Sequence, residues 1–512
     1  MTGPGETACG RTEPQDRFPL GSLLEGMVGP GDVPASLAGT GITGMSLDSR
    51  RIRPGNLFLA MPGTVGDGRD HITAALDAGA TAVVFESDRA SGLCRTLADQ
   101  GRAVGVLNLR ERVGLMASRL YGDPSSRFSV IGITGTNGKT TCAWLLAQAL
   151  ESLGERSVMM GTIGSGFPDA MMASCLTTED AVDIQGSLRG WLDKDATAVC
   201  MEVSSHGLDQ GRVNGVRFNA AVFTNLSRDH LDYHGDMDAY AEAKKKLFRL
   251  PGLEAAVVNA DDGLGRKILA MTDTPVLMSY GLADADVMPL DPRFGTAGTH
   301  FRWAWGQDRF DCRSRLIGEI NLPNLLAVIA TLLAQGYAAD RIEALLPALR
   351  PPPGRMELIA GGGRSPAVVV DYAHTPDSLE RALRSLRPLT TGSLGVVFGC
   401  GGDRDPGKRP LMGRAAARYA DRIIITNDNP RGEDPLAIAG MARDGVTGED
   451  AARPCLVELD RALAITTAIN TACSGDVILI AGKGHETTQT IGSSVRHFSD
   501  REVAAKVLEA HR

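Results

Sequence analysis

The sequence predicts an α/β protein of three domains: an N-terminal α/β domain, a central P-loop domain on a parallel sheet, and a C-terminal Rossmann-like domain. Three observations predict it. The chain has 512 residues, too many for one core and suited to roughly two to four domains. Short apolar runs alternate with helical patterns along most of its length, as in parallel sheets with helical crossovers. The run Pro351-Pro352-Pro353-Gly354 marks a boundary, because successive prolines can neither continue a helix nor enter a central strand.

Residues 1–18 are polar and rich in Gly and Pro, and are expected to be frayed. Residues 19–122 form a first unit, in which HITAALDAGA reads as a helix and TAVVFE as a strand. Asp123-Pro124-Ser125-Ser126 reads as a linker. The central unit, 123–350, contributes the strands FSVIGIT, ATAVCMEV, AAVFTNL and AAVVNA, and Thr141 to Leu153 has helical spacing. In the last unit, 351–512, AVVVDYAHT, GVVFGCGGDRD, RIIITNDNPR and VILIAGKGHE each run from apolar strand into polar loop. Open α/β sheets bind ligands beyond the carboxyl ends of their strands, where these polar clusters are expected.

Composition excludes several classes. No stretch approaches the ~20 apolar residues of a membrane span, and the first residues lack a signal peptide's apolar segment, so a cytoplasmic protein is expected. Nine scattered cysteines without a C-x-x-C pair indicate neither a zinc site nor a disulfide framework. A formal charge of −8 argues against a general nucleic-acid binder.

The segment IGITGTNGKTT, from Ile131 to Thr141, sets a glycine-rich turn and a lysine between strand and helix. Backbone N–H groups around Gly135, Thr136, Asn137 and Gly138 can wrap the phosphates of a nucleotide triphosphate. Lys139 can reach the β and γ oxygens, and the Thr140 hydroxyl, followed by Thr141, can hold Mg²⁺. Ile133 stands where the usual P-loop pattern has its first glycine. Glu202, at the end of a following strand, can hold Mg²⁺ or be a solvated carboxylate. Ser204, Gln210 and Arg212 can bind a second polar ligand. Asn225, Asp229, His230, Asp232 and His234 crowd into ten positions, which points to phosphate transfer. Lys244 to Lys246 read equally well as a solvated helix face.

TGTNGKTT, EVSSHGLDQGR, TNLSRDHLDYHG with AEAKKKLF, GEINLPNLLAV, PGRME, VDYAHTPDSLE, GCGGDRDPGKRP, TNDNPRGEDP and GKGHET occur in this order, and the chain resembles the Mur ligase family of peptidoglycan synthesis from about 46 to 502. Departures are small: Ile320 and Pro323 alter one asparagine segment, and Glu179 follows Thr177-Thr178 where the family often has proline. The resemblance implies an ATP-dependent amide ligase of cell wall biogenesis. ATP phosphorylates the D-glutamate γ-carboxylate of UDP-N-acetylmuramoyl-L-alanyl-D-glutamate, and the amine of an incoming amino acid displaces the phosphate. It also implies Lys139, Glu202, His230 and Lys244 as the catalytic set, with Thr140 and Glu202 on one Mg²⁺ and His230 with an N6-carboxylated Lys244 on a second. By the same resemblance, Asn321, Asn324, Arg355 and Asp371 grip adenine and ribose, so that ATP sits between domains that close around it. Leu47 and Ser49, with Thr64, Val65 and Gly66, hold the uridine end, while Thr177, Thr178, Ser204, Gln210 and Arg212 hold the sugar-peptide end.

The resemblance further assigns Arg404, Asp428, Asn429, Pro430, Arg431, Gly482 and Glu486 to the amino acid. Asp428-Asn429-Pro430-Arg431 is similar to the form found in members that add meso-diaminopimelate, whereas lysine-adding members lack the arginine. The chemical reason is that diaminopimelate carries a distal carboxylate that planar Arg431, with Arg404, can hold bidentately. The alternatives are a lysine-adding member, a ligase like folylpolyglutamate synthetase, and, from another class, a P-loop switch whose third domain binds a protein. Small-molecule substrates, no nucleic acid and a monomer are expected.

Overall fold

The computed structural model describes residues 14, 17–29, 31–64, 66–174, 176–359 and 365–510. The expectation for residues 1–18 falls, apart from Pro14, Arg17 and Phe18, outside them, as does Val65. The chain divides into two compact units, residues 1–280 with 330–337, and 281–329 with 338–512.

Among the described residues the first unit holds two main sheets, beside a short antiparallel ladder of Phe18–Pro19 with Gly41–Ile42. In the N-terminal one, strands Gly44–Ser46, Asn56–Ala60, Ala82–Glu86 and Ala103–Val106 lie parallel in chain order. Every residue of Asn56–Ala60 is buried, as a strand covered on both faces requires. Side chains alternate accordingly: Leu57, Leu59 and Val84 enter one core, and Phe58, Val83 and Phe85 enter the other. The expected linker is a packed turn, the 3₁₀ helix Pro124–Ser126, whose Ser125 Oγ accepts from Arg217 N at 3.1 Å.

The second sheet of this unit runs Ser157–Gly161, Ala198–Glu202, Ser129–Thr134, Ala220–Phe223, Ala255–Asn259 and Val276–Tyr280, all parallel, with an antiparallel hairpin, Gly164–Phe167 and Ala170–Met172, on the Ser157 side. Ser129–Thr134 lies between Ala198–Glu202 and Ala220–Phe223, so the loops leaving these three strands emerge side by side.

The second unit begins with an antiparallel meander, Val287–Gly295, Gly298–Trp305 and Asp308–Ser314. Its main sheet runs Glu357–Ile359, Ala367–Asp371, Val477–Ala481, Leu394–Phe398, Arg422–Ile425 and Cys455–Val457, parallel apart from the first strand. Val369, Val396 and Leu479 pack on one face, and Val370, Val397 and Ile480 on the other. Because Val477–Ala481 inserts between Ala367–Asp371 and Leu394–Phe398, the loops after Asp371, Phe398 and Ala481 leave from neighbouring strand ends.

Candidate active site

The phosphate loop turns where the sequence places it, and the helix behind it, Lys139–Ser152, starts two residues earlier than its spacing suggests. Gly135 has φ +147°, and a Cβ there would lie 1.8 Å from Thr224 Oγ1, so only glycine fits. Asn225 braces the turn: its carbonyl accepts from Thr136 N at 2.8 Å and its Oδ1 from Asn137 N at 3.0 Å. Two loop N–H groups are thereby committed to shaping the loop. Lys139 Nζ arches back to the carbonyls of Gly135 and Thr136, each at 2.9 Å.

Glu202 is fully buried at the end of its strand and accepts from Thr140 Oγ1 at 2.9 Å, Thr162 N at 2.8 Å and Thr162 Oγ1 at 3.2 Å. A Cβ on Gly161 would meet Glu202 Oε1 at 2.2 Å, so the carboxylate lies close against that backbone. A buried carboxylate beside a threonine hydroxyl at a phosphate loop is a hard oxygen set, and it fits Mg²⁺. Among the described residues no three His, Cys, Asp or Glu side chains gather around one point. The sequence reading missed Thr162, which looks in sequence like any turn residue.

The structure separates the three lysines. Lys244 is buried, donates to Gly135 O at 2.8 Å and lies 4.4 Å from the Tyr240 ring centroid. Lys245 pairs with Glu242 at 2.5 Å and Lys246 with Asp209 at 2.8 Å. Burial, reinforced by the like charge of Lys139, holds the Lys244 amine well below the usual lysine range. His230, at φ +53°, lies 4.8 Å from His206 ring to ring, and His206 lies 5.4 Å from His234. Burial lowers His230, with Lys139 and Lys244 adding to the shift and Asp229 opposing it. Burial and the two neighbouring imidazoles push His206 down to about 4.

Next to the phosphate loop, Thr177 Oγ1 lies 3.0 Å from Thr162 Oγ1, and Thr178 Oγ1 donates to Glu202 O at 3.0 Å. Arg212 donates to Thr178 O at 2.7 Å and grips Gln210 Oε1 with Nε and NH2, while Ser204 caps the helix Ser205–Asp209. In the N-terminal sheet's loops, Asp48 caps the 3₁₀ helix Ser49–Arg51, and Arg51 binds Asp183 through two bonds of 2.8 and 2.7 Å. Leu47 and Ser49 sit on that turn, and Thr64 and Gly66 on the loop closed by Gly63 N to Gly66 O at 2.7 Å.

The residues expected at the nucleoside lie in the second unit. Asn321 and Asn324 are buried and joined at 3.2 Å. Asp371 accepts from Met356 N at 2.7 Å and Ala373 N at 2.8 Å; burial raises its carboxyl while Arg355 opposes the shift. The Arg355 guanidinium sits 4.5 Å over Tyr372, and its buried Nε has no hydrogen-bond partner among the described residues.

The loops after Phe398, Ile425 and Ala481 bring the remaining residues together. Arg431, at φ +51°, donates NH1 to Gly402 O at 2.7 Å, while Arg404 is exposed. Asn429 Nδ2 donates to Glu486 Oε2 at 3.0 Å, and its Oδ1 accepts from Thr490 N at the same distance. Lys483, fully buried and missed in the sequence, donates to Glu486 Oε2 at 2.8 Å and lies 3.8 Å from Asp428. Burial works to raise Glu486, but Lys483 and Asn429 hold it below the ordinary range. Gly482 has φ +116°, and a Cβ there would touch Asp428 at 3.0 Å. Pro430 is the link between Asn429 and Arg431, its carbonyl packed on Gly402.

Comparison with known proteins places this geometry. Residues 41–121 match the Mur ligase family, catalytic domain; 133–332 match the Mur ligase middle domain; 354–484 match the Mur ligase, glutamate ligase domain. UDP-N-acetylmuramoyl-L-alanyl-D-glutamate–2,6-diaminopimelate ligase of Chromobacterium violaceum is 48% identical over 476 residues, 92% of this chain and 95% of that protein. The protein of the same name from Ectopseudomonas mendocina is 47% identical over 498 residues, 96% of this chain and 98% of that one. A solved structure of UDP-N-acetylmuramoyl-L-alanyl-D-glutamate–2,6-diaminopimelate ligase superposes with a TM-score of 0.70 at 34% identity, covering 97% of this chain and 99% of that one. Matched by three Mur ligase domain models and 48% identical to a relative over 92% of its length, the chain belongs to the Mur ligase family.

Proposed function

We propose that the chain is an ATP-dependent ligase that joins meso-diaminopimelate to the D-glutamate γ-carboxylate of UDP-N-acetylmuramoyl-L-alanyl-D-glutamate, through an acyl phosphate, in peptidoglycan precursor synthesis. The single observation that carries the reading is Lys244: of three adjacent lysines, one alone is buried under the phosphate loop, with its amine held toward the neutral form. A neutral amine adds carbon dioxide, forming an N–C bond and losing a proton, and so becomes an anion able to hold a cation. A charged surface lysine does neither.

The chemical obstacle is electrostatic. Bringing a carboxylate to ~4 Å from a phosphate charge costs about 4 kcal/mol per pair of unit charges at an effective dielectric near 20. Lys139 supplies positive charge at the β and γ oxygens, and the N–H groups at the start of helix Lys139–Ser152 supply partial positive charge along its axis. Thr140 and Glu202 would hold one Mg²⁺, and His230 with carboxylated Lys244 a second. Bound there, the ions would screen the triphosphate and the charge that develops during transfer. Arg212, fixed by Gln210 and Thr178, and Thr177 orient the acceptor carboxylate. Leu47, Ser49, Thr64, Val65 and Gly66 receive the uridine end, and Asn321, Asn324, Arg355 and Asp371 the nucleoside of ATP.

Diaminopimelate is favoured over lysine by charge. Glu486, supported by Lys483 and Asn429, suits the distal ammonium, and Arg431 with Arg404 suits the distal carboxylate that lysine lacks. Domain limits of 19–122, 123–350 and 351–512, a monomer and a cytoplasmic location belong to the same reading. Among the described residues no helix is long and apolar enough to cross a membrane.

The test incubates the protein with ATP, Mg²⁺, the UDP-linked dipeptide and either meso-diaminopimelate or lysine, and weighs the products. The expected product is the diaminopimelate tripeptide, with ADP released only when both acceptors are present. ADP release without acceptors would point to a switch, and preferential addition of lysine would overturn the specificity.

A further inference from the structure

The amino-acid site rests on a buried ion pair whose guanidinium bonds to the backbone of two of its loops and also favours the charged form of Asp428. Arg461 and Asp500 are both fully buried and joined by two bonds of 2.7 Å. They open two different helices, Arg461–Asn470 and Asp500–Ala510. The same guanidinium donates NH1 to Asn427 O at 3.2 Å and NH2 to Ala481 O at 2.9 Å. Those carbonyls belong to the residues immediately before Asp428-Asn429-Pro430-Arg431 and before Gly482-Lys483-Gly484-His485-Glu486.

We propose that Arg461, oriented by Asp500, is the positioning residue of the amino-acid site, setting the spacing and direction in which both loops leave the sheet. The inference rests on the amino-acid site proposed above. A guanidinium is rigid and planar, so two carbonyls bound to one head are held at a fixed mutual distance. The two loops also meet in front of it: a Cβ on Gly482 would lie 3.0 Å from Asp428 Oδ2 and 3.8 Å from Arg461 NH2. A slip in either strand end would therefore move Glu486 and Asn429 relative to Arg431. Stability alone is a poor reason for such a pair, since apolar residues of similar volume often replace buried ion pairs without loss. A lysine at 461 would keep the charge beside Asp500 but has one nitrogen and cannot hold both carbonyls in the same geometry.

The experiment measures KM for meso-diaminopimelate, ATP and the UDP-linked dipeptide in wild type, Arg461→Lys and Asp500→Asn. Arg461→Lys is expected to raise KM for diaminopimelate about 10- to 100-fold, the scale of a small misplacement of binding groups. The other two KM values should stay within about twofold, as neither substrate is assigned to these loops. Asp500→Asn should move the same constant in the same direction by less. A folded variant with unchanged KM for diaminopimelate, or a parallel rise in all three constants, would overturn the proposal. Failure of both variants to fold would assign the pair to stability and overturn it as well. Wild type that fails to use diaminopimelate would instead sink the reading of the site itself.

Discussion

Replacing Arg431 by alanine should cost two separable amounts. Its NH1 is bonded to Gly402 O at 2.7 Å, so one prong anchors the loop, and on the proposed reading the rest of the guanidinium takes the distal carboxylate. Loss of the anchor at this half-buried position should cost about 1 kcal/mol, roughly fivefold, for any amino acid. Loss of the contact to a distal carboxylate should add about 1.5 to 3 kcal/mol, a further 10- to 150-fold, for meso-diaminopimelate alone. Arg431→Lys should recover little, because a point charge reproduces neither the fork nor the anchor together. The assay is kcat/KM for diaminopimelate and for lysine in wild type and both variants. An equal loss for both amino acids would refute the reasoning and leave Arg431 as a loop anchor only.

Lys244→Met should abolish ligation while stabilising the protein by about 1 to 3 kcal/mol at neutral pH in buffer free of carbon dioxide, as a buried amine is removed. The folded amine titrates below its ordinary value of 10.5, so between the two values the unfolded chain binds the extra proton. The wild-type penalty is thus full at low pH, and the gap to Lys244→Met should narrow as pH rises toward 10.5; denaturant melts that show a widening gap would contradict this. Glu202→Ala and His230→Ala should lower kcat far more than they weaken binding of the UDP-linked dipeptide, which kinetics with calorimetry can separate. A large loss of affinity with kcat preserved would make them substrate ligands.

Much of the site was legible because its chemistry sits where an apolar strand gives way to a glycine-rich turn. Gly135 and Gly138 mark the phosphate loop, and Asp428 to Arg431 follow a strand whose period is plain. What could not be read is direction. Successive residues of a helix point about 100° apart, so Lys244, Lys245 and Lys246 are equivalent in composition and different in fate; only packing against Gly135 and Tyr240 selects Lys244. Thr162 and Lys483 were invisible for a related reason: a polar residue beside glycine in a turn gives no sign that a buried carboxylate lies opposite. Arg461 and Asp500 are 39 residues apart and carry no local pattern that links them. Asn225, singled out within a cluster of possible ligands, braces the glycine-rich turn through two hydrogen bonds that the sequence does not announce.

The central claim is that the substrate carboxylate is activated by phosphorylation before the amine attacks. Its most direct test supplies UDP-linked dipeptide with ¹⁸O in the D-glutamate γ-carboxylate, together with ATP, Mg²⁺ and meso-diaminopimelate, and examines the released phosphate by mass. The account predicts one ¹⁸O in each phosphate from fully labelled substrate, because the bridging oxygen of the acyl phosphate leaves with phosphorus as the amide forms. Phosphate free of label, with tripeptide formed, would contradict it.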